Sequence, residues 1–145
     1  MGQQQLLLII LGVIIVGIAI AVGLQLFQSG AVDANQDAMI NDMMNLTAVS
    51  DQWRIRPTSM GGGGGYFTDE IVTRINANAG LTETANGEYV ITGGGATSTL
   101  ITITGTSTQG YGDVVLLYNV DPSDDPDDEE QRYTWSGDHQ GGIGG

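Results

Sequence analysis

Cysteine is absent from the chain, so neither a disulfide nor a zinc–thiolate site can brace the fold. Lysine is absent too, and four arginines stand against 17 acidic residues, for a formal charge of -13 and a pI near 4.1. Phosphate backbones are held by clustered basic residues, so nucleic acid is not favoured as a partner. There is one histidine, His139, in the sequence Gly137-Asp138-His139-Gln140-Gly141. A Ser/His/Asp triad or a histidine-rich metal site therefore has almost no material, no cofactor is expected, and His139 reads as a solvated residue. Without lysine the glycine run Gly61–Gly65 cannot be a P-loop, which needs G-x-x-x-x-G-K-[ST]. The acidic bias suits an exterior hydrated in concentrated salt, where screening shortens charge repulsion to about 3 Å at 1 M; an ordinary acidic surface protein fits it equally well.

What the chain does have is an unbroken run of eighteen apolar or glycine residues, Leu6 to Gly23. At about 1.5 Å per residue this is roughly 27 Å of helix, close to the ~30 Å of hydrocarbon in a bilayer. Ala19-Ile20-Ala21 matches the A-x-A pattern of a secretory cleavage site. No Lys or Arg precedes the run, however, and it exceeds the ~7–15 residues of a signal h-region, so the expectation is a retained segment. Gly12, Gly17 and Gly23 permit close helix approach, without GxxxG spacing.

Beyond Leu24 the pattern changes without a break. Val32, Met39, Met43, Leu46 and Trp53, flanked by Ile40 and Met44, fall on one stripe of a 3.6-residue period. Asp33, Asp37, Asp42 and Asp51 lie mostly away from it. Large apolar residues at helical spacing are packing surface far more often than a ligand groove. The first proline is Pro57, and the restriction it places on Arg56 predicts a helix over residues 3–55, with Ser29-Gly30 as its weakest point. Arg54 and Arg56 near its end complement the dipole. The five glycines that follow read as a flexible connection. Thr68 before Asp69 and Glu70 then marks a helix start, with Ile71, Val72 and Ile75 on its apolar face and a break from Asn76 to Gly80.

Strands follow. Glu88–Thr92 and Thr97–Thr106 are β-branched and alternating, with Gly93-Gly94-Gly95-Ala96 as a hairpin loop. Thr99, Ile101 and Ile103 share one face of the second strand; Leu100, Thr102 and Thr104 share the other. Asp113–Val120 reads as a third strand, Arg132–Trp135 as a short fourth, and Ser136–Gly145 as an unstructured glycine-rich tail. The expected class is α+β, a long apolar-then-amphipathic helix packed on a small antiparallel sheet. Its parts are an apolar segment 1–26, an amphipathic continuation 27–56, a glycine-rich linker 57–66, a β-rich head 67–136 and a tail 137–145.

This order of segments resembles the type IV pilin and pseudopilin superfamily, by architecture over the whole chain and by sequence pattern over residues 1–56. In that family a leader is cut after a glycine, and the fifth mature residue is a glutamate that pairs with a neighbour's amino terminus. If Met1 is the mature terminus, Gln5 stands at that position; a cut after Gly2 would put Leu7 there. The resemblance implies a subunit that waits in the cytoplasmic membrane and is drawn by an assembly machinery into an extracellular homo-oligomeric filament. Gln5, Leu7, Ile10, Ile14, Ile18, Val22 and Leu26 would then line the helix contacts. A single-pass anchor with a small binding head, including a minor pseudopilin of a secretion machine, is the other class the sequence fits.

One cluster carries possible ion chemistry: Asp121 to Glu130, with seven carboxylates in ten residues. A calcium site there would draw on Asp121, Asp124, Asp125, Asp127 and Asp128, but the spacing does not match a D-x-[DN]-x-[DN]-G loop, and two prolines stiffen the run. A solvated acidic loop is the simpler expectation. Asn45-Leu46-Thr47 matches a glycosylation sequon but falls mid-helix beside the packing stripe, and Thr97–Thr108 offers hydroxyls for O-linked sugar if that strand faces outward.

Overall fold

The computed structural model describes residues 2–120 and 133–137. The acidic run 121–130, Arg132, His139 and the end of the chain lie outside the described residues. The class is α+β: α1 (Gly2–Ile55), a 3-10 turn (Thr58–Met60), α2 (Asp69–Asn76), α3 (Ala79–Thr82), then β1 (Gly87–Gly93), β2 (Leu100–Ser107), β3 (Asp113–Asn119) and β4 (Tyr133–Gly137). The chain divides into two compact units, Met1–Ala34 and Asn35–Gly145.

The first unit is helix alone. Its glycines Gly12, Gly17, Gly23 and Gly30 have open space where a Cβ would stand, and Ser29-Gly30 is helical like its neighbours.

In the second unit the strands form one antiparallel meander in the order β1-β2-β3-β4. Alternation puts Tyr89, Ile91, Ile101, Ile103, Val114, Leu116 and Tyr118 on the buried face. Met39, Met43 and Leu46 of α1, Phe67, and Ile71 and Ile75 of α2 complete a single core with them. The stripe read from the sequence is thus the packing face, with Ile40 and Trp53 at its margin, whereas Val32 belongs to the first unit. Four polar residues share that face: Asn35, Gln36, Thr47 and Ser50. Thr47 and Ser50 return their hydroxyls to the Met43 and Leu46 carbonyls at 2.8 Å, and Asn35 bonds the Asn86 carbonyl and the Ser107 hydroxyl. Burial of Thr47 removes the hydroxyl of the Asn45 sequon from solvent.

The glycine run is not a flexible linker. Helix α1 ends at Ile55, one residue before pre-proline Arg56, and leaves its last carbonyls without helical partners. The glycine amides turn back onto that end. Gly63 donates to Trp53 O at 3.0 Å, Gly64 to Arg56 O at 3.0 Å and Gly65 to Arg54 O at 2.8 Å, while Gly61 and Gly62 bond Thr58 O and Pro57 O. A Cβ on Gly62 would collide with the Arg56 carbonyl, and one on Gly63 with that of Tyr66. The close approach, not chain mobility, is why glycine stands there.

Three boundaries also differ from the sequence reading. The β1–β2 loop extends to Thr99, because its Gly95 amide and Ser98 carbonyl bond the Phe67 backbone in place of a strand partner. Ser136 and Gly137 belong to β4, paired with Val115 and Val114, instead of opening the tail. The expected break at Asn76–Gly80 is followed by the one-turn helix α3, started by Asn78, whose side chain accepts from the Gly80 amide at 3.2 Å.

Candidate assembly surface and the polar sites of the head

From Leu6 to Phe27, sixteen large apolar side chains of α1 are exposed, and no charged residue interrupts them. At roughly 1.5 kcal/mol or more per uncovered side chain, the unfavourable hydration is on the order of 20 kcal/mol. That exceeds the ~5–15 kcal/mol net stability of an ordinary domain, so this surface demands a cover. The helix is long and apolar enough to cross a membrane.

Each sequence-predicted assembly residue lies on this surface. Gln5 is exposed, and Leu7 is 66 %, Ile14 53 % and Val22 49 % exposed, with Ile10, Ile18 and Leu26 similar. The seven occupy a stripe that drifts round the helix, and exposure does not set them apart from Leu8, Leu11 or Ile15.

The head carries a separate polar knot. Asp42, three residues after Met39 and four before Leu46, lies at the edge of the packing face. Its Oδ2 accepts from Thr84 Oγ1 at 2.8 Å, Asn86 Nδ2 at 3.0 Å and Tyr89 OH at 2.8 Å. Burial by itself would raise the Asp42 carboxyl, yet the hydrogen bonds from Asn86, Thr84 and Tyr89 together outweigh it and hold the group below its usual value. Burial, with the Asp42 hydrogen bond and charge behind it, pushes the Tyr89 phenol up to about 12 against the opposing bond with Thr84. Beside the knot, Asp42, Asn45, Leu46, Val49, Gly80, Leu81 and Thr84 line an open groove of about 300 Å³. No group of three potential metal ligands occurs among the described residues.

Three arginines gather at the end of α1, where the sequence reading saw only dipole complements. Arg54 Nε donates to Asp51 Oδ1 at 2.6 Å, its Nη1 donates to Gly65 O at 3.1 Å, and its guanidinium lies 5.8 Å from the Phe67 ring centre. Arg56 and Arg74 both stack on Trp53, at 4.3 Å and 5.0 Å. Arg74 also pairs with Glu70 at 2.9 Å. A tryptophan four residues before the glycine-rich turn, with an arginine at i+3, was the sequence signal for this patch.

No family model, curated protein or solved structure matches the chain.

Proposed function

We propose that the chain is a pilin-like structural subunit, which resides in the cytoplasmic membrane and then assembles with copies of itself into an extracellular helical filament. The observation that carries this reading is the uncovered apolar length of α1 from Leu6 to Phe27. A helix that is apolar all round is stable only in lipid or among other helices, and a bundle of identical helices supplies the second environment once the first is left. The compact acidic head suits the outer wall of such a bundle, where like charges remain hydrated. The role we propose is mechanical: among the described residues the head offers a groove and a carboxylate, Asp42, held by hydrogen bonds from Thr84, Asn86 and Tyr89.

The alternative is a single-pass anchored protein whose head binds its partner as a monomer. The exposed apolar length of α1 from Leu6 to Phe27 is equally well served by lipid alone. Electron microscopy of sheared surface material from cells expressing the chain separates the two. Filaments that contain it are expected. Recovery of the chain only in the membrane fraction, with no filaments, would establish the anchor reading instead.

A further inference from the structure

We propose that the heads of neighbouring copies join by charge: Arg56 and Arg74, stacked on Trp53 in one copy, take the paired carboxylates of Glu83 and Glu88 in the next. The inference rests on the filament reading and names a second contact in it, outside the apolar helix. Its basic half is the corner at the end of α1. The chain has four arginines and no lysine, and three of the arginines gather there. Arg54 is committed to Asp51 and the Gly65 carbonyl. Arg56 is exposed and has no carboxylate within ion-pair distance among the described residues. Arg74 pairs with Glu70 through one nitrogen, and the two side chains are 44 % and 74 % exposed, so solvent screens that pair and the guanidinium has further N–H groups to offer. Both guanidinium groups lie on one ring, at 4.3 Å and 5.0 Å from its centre, so their separation cannot exceed those two lengths laid end to end. A guanidinium stacked on an indole keeps its N–H edge for a carboxylate.

The acidic half is built by the backbone. The Thr84 amide donates to Gly87 O at 3.0 Å and closes a turn, which Glu83 and Glu88 flank as antiparallel bridge partners. Bridge partners project to the same face, with their Cβ atoms about 5 Å apart. Both glutamates are exposed, and neither has a cation within ion-pair distance among the described residues. Like charges directly opposite one another destabilise the pairing that holds them, and cations from outside relieve it. The turn is fixed to the far end of the head's share of α1: Thr84 and Asn86 bond Asp42, and the Asn86 carbonyl accepts from Asn35. From Asp42 to Trp53 is about 16 Å of helix. Both halves belong to the compact unit Asn35–Gly145, and they do not pair within one copy. A surface that meets a different surface on the next copy propagates from copy to copy instead of closing on a two-fold axis, as a filament requires.

The test uses the full chain, expressed in cells and recovered as sheared surface filaments, with electron microscopy and the filament-borne fraction of the chain as readouts. Glu83→Arg with Glu88→Arg makes an acidic chain less acidic, so general charge repulsion alone would give more filament. The proposed contact instead requires the filament-borne fraction to fall at least about tenfold, because cationic side chains then face one another across it. Arg56→Glu with Arg74→Glu is expected to lower it equally. All four changes in one chain restore opposite charges across the contact and are expected to return assembly to within about twofold of the unchanged chain. Filaments of the Glu83→Arg, Glu88→Arg chain at the unchanged level overturn the proposal, and so does failure of the quadruple variant to recover while circular dichroism shows its head folded. If the arginine changes unfold the head, the Glu83→Arg, Glu88→Arg chain decides alone. Absence of filaments from the unchanged chain would remove the filament reading itself, and the charge contact with it.

Discussion

Asn76 grips Ile91 by both backbone groups: its Nδ2 donates to the Ile91 carbonyl at 2.7 Å, and the Ile91 amide donates to its Oδ1 at 2.9 Å. Ile91 lies on β1, which has β2 as its one strand partner among the named strands, so a side-chain amide stands where another strand would add. Asn76→Leu is expected to cost about 2 kcal/mol, from two lost bonds to the backbone of buried Ile91, and to expose a template for strand addition. Urea denaturation and an amyloid-dye assay of the full chain in detergent would report the two effects separately.

The Asp42 knot makes stability depend on pH at both extremes. The hydrogen bonds to Asp42 hold its carboxyl below the ordinary carboxylate value of 3.8, so its contribution is complete above that value and is lost as pH falls through the lower, folded value. Tyr89 titrates near 12 against 10.0 unfolded, so its contribution is complete below pH 10 and is lost as pH rises toward 12. Asp42→Asn should flatten the acid limb, and Tyr89→Phe the alkaline limb, in denaturation midpoints measured across pH.

Gly63→Ala tests the reading of the glycine run. A flexible linker would accept alanine, or gain slightly from the stiffer unfolded chain. A cap that admits no Cβ should instead lose about 1–3 kcal/mol and expose the end of α1 to hydrogen exchange at Gly63, Gly64 and Gly65.

If the chain assembles as proposed, Ile14→Asp or Ile18→Asp should abolish filaments and leave the head folded. A carboxylate among apolar neighbours costs at least about 2.5 kcal/mol, and in a helical array every copy bears that cost. Negative-stain images, with circular dichroism to follow the head, check both halves. Normal filaments from either variant would remove the assembly role of this helix.

Much of the fold was legible because it rests on periodicity. The apolar run, the Met39–Met43–Leu46 stripe and the Ile101/Ile103 face each follow from spacing alone, and Pro57 marked the helix end to the residue. The polar partnerships were not legible. Asn35, Thr47 and Ser50 look solvent-facing by composition and are buried because specific carbonyls and hydroxyls receive them. Asp42 was assigned away from the stripe although its spacing from Met39 and Leu46 places it at the edge. Its three donors come from residues 84–89, a distance along the chain that no local pattern encodes. The glycine run was misread for a related reason, since composition identifies glycines that bend freely and glycines that fit tightly by the same letters. For the residues proposed to make helix contacts the structure adds no selection, because the apolar residues of α1 from Leu6 to Phe27 are exposed alike.

The meander also has a consequence in time. Among the described residues each of β2, β3 and β4 pairs with the strand before it in the chain, so no strand waits for a partner distant in the strand order. The helical share of the core, Met39, Met43 and Leu46 of α1 with Ile71 and Ile75 of α2, precedes all four strands. As the chain emerges from its amino end, the platform is delivered first and the sheet is laid on it strand by strand. The order of synthesis thus matches the spatial order of the sheet, which allows each strand to pair as it is made.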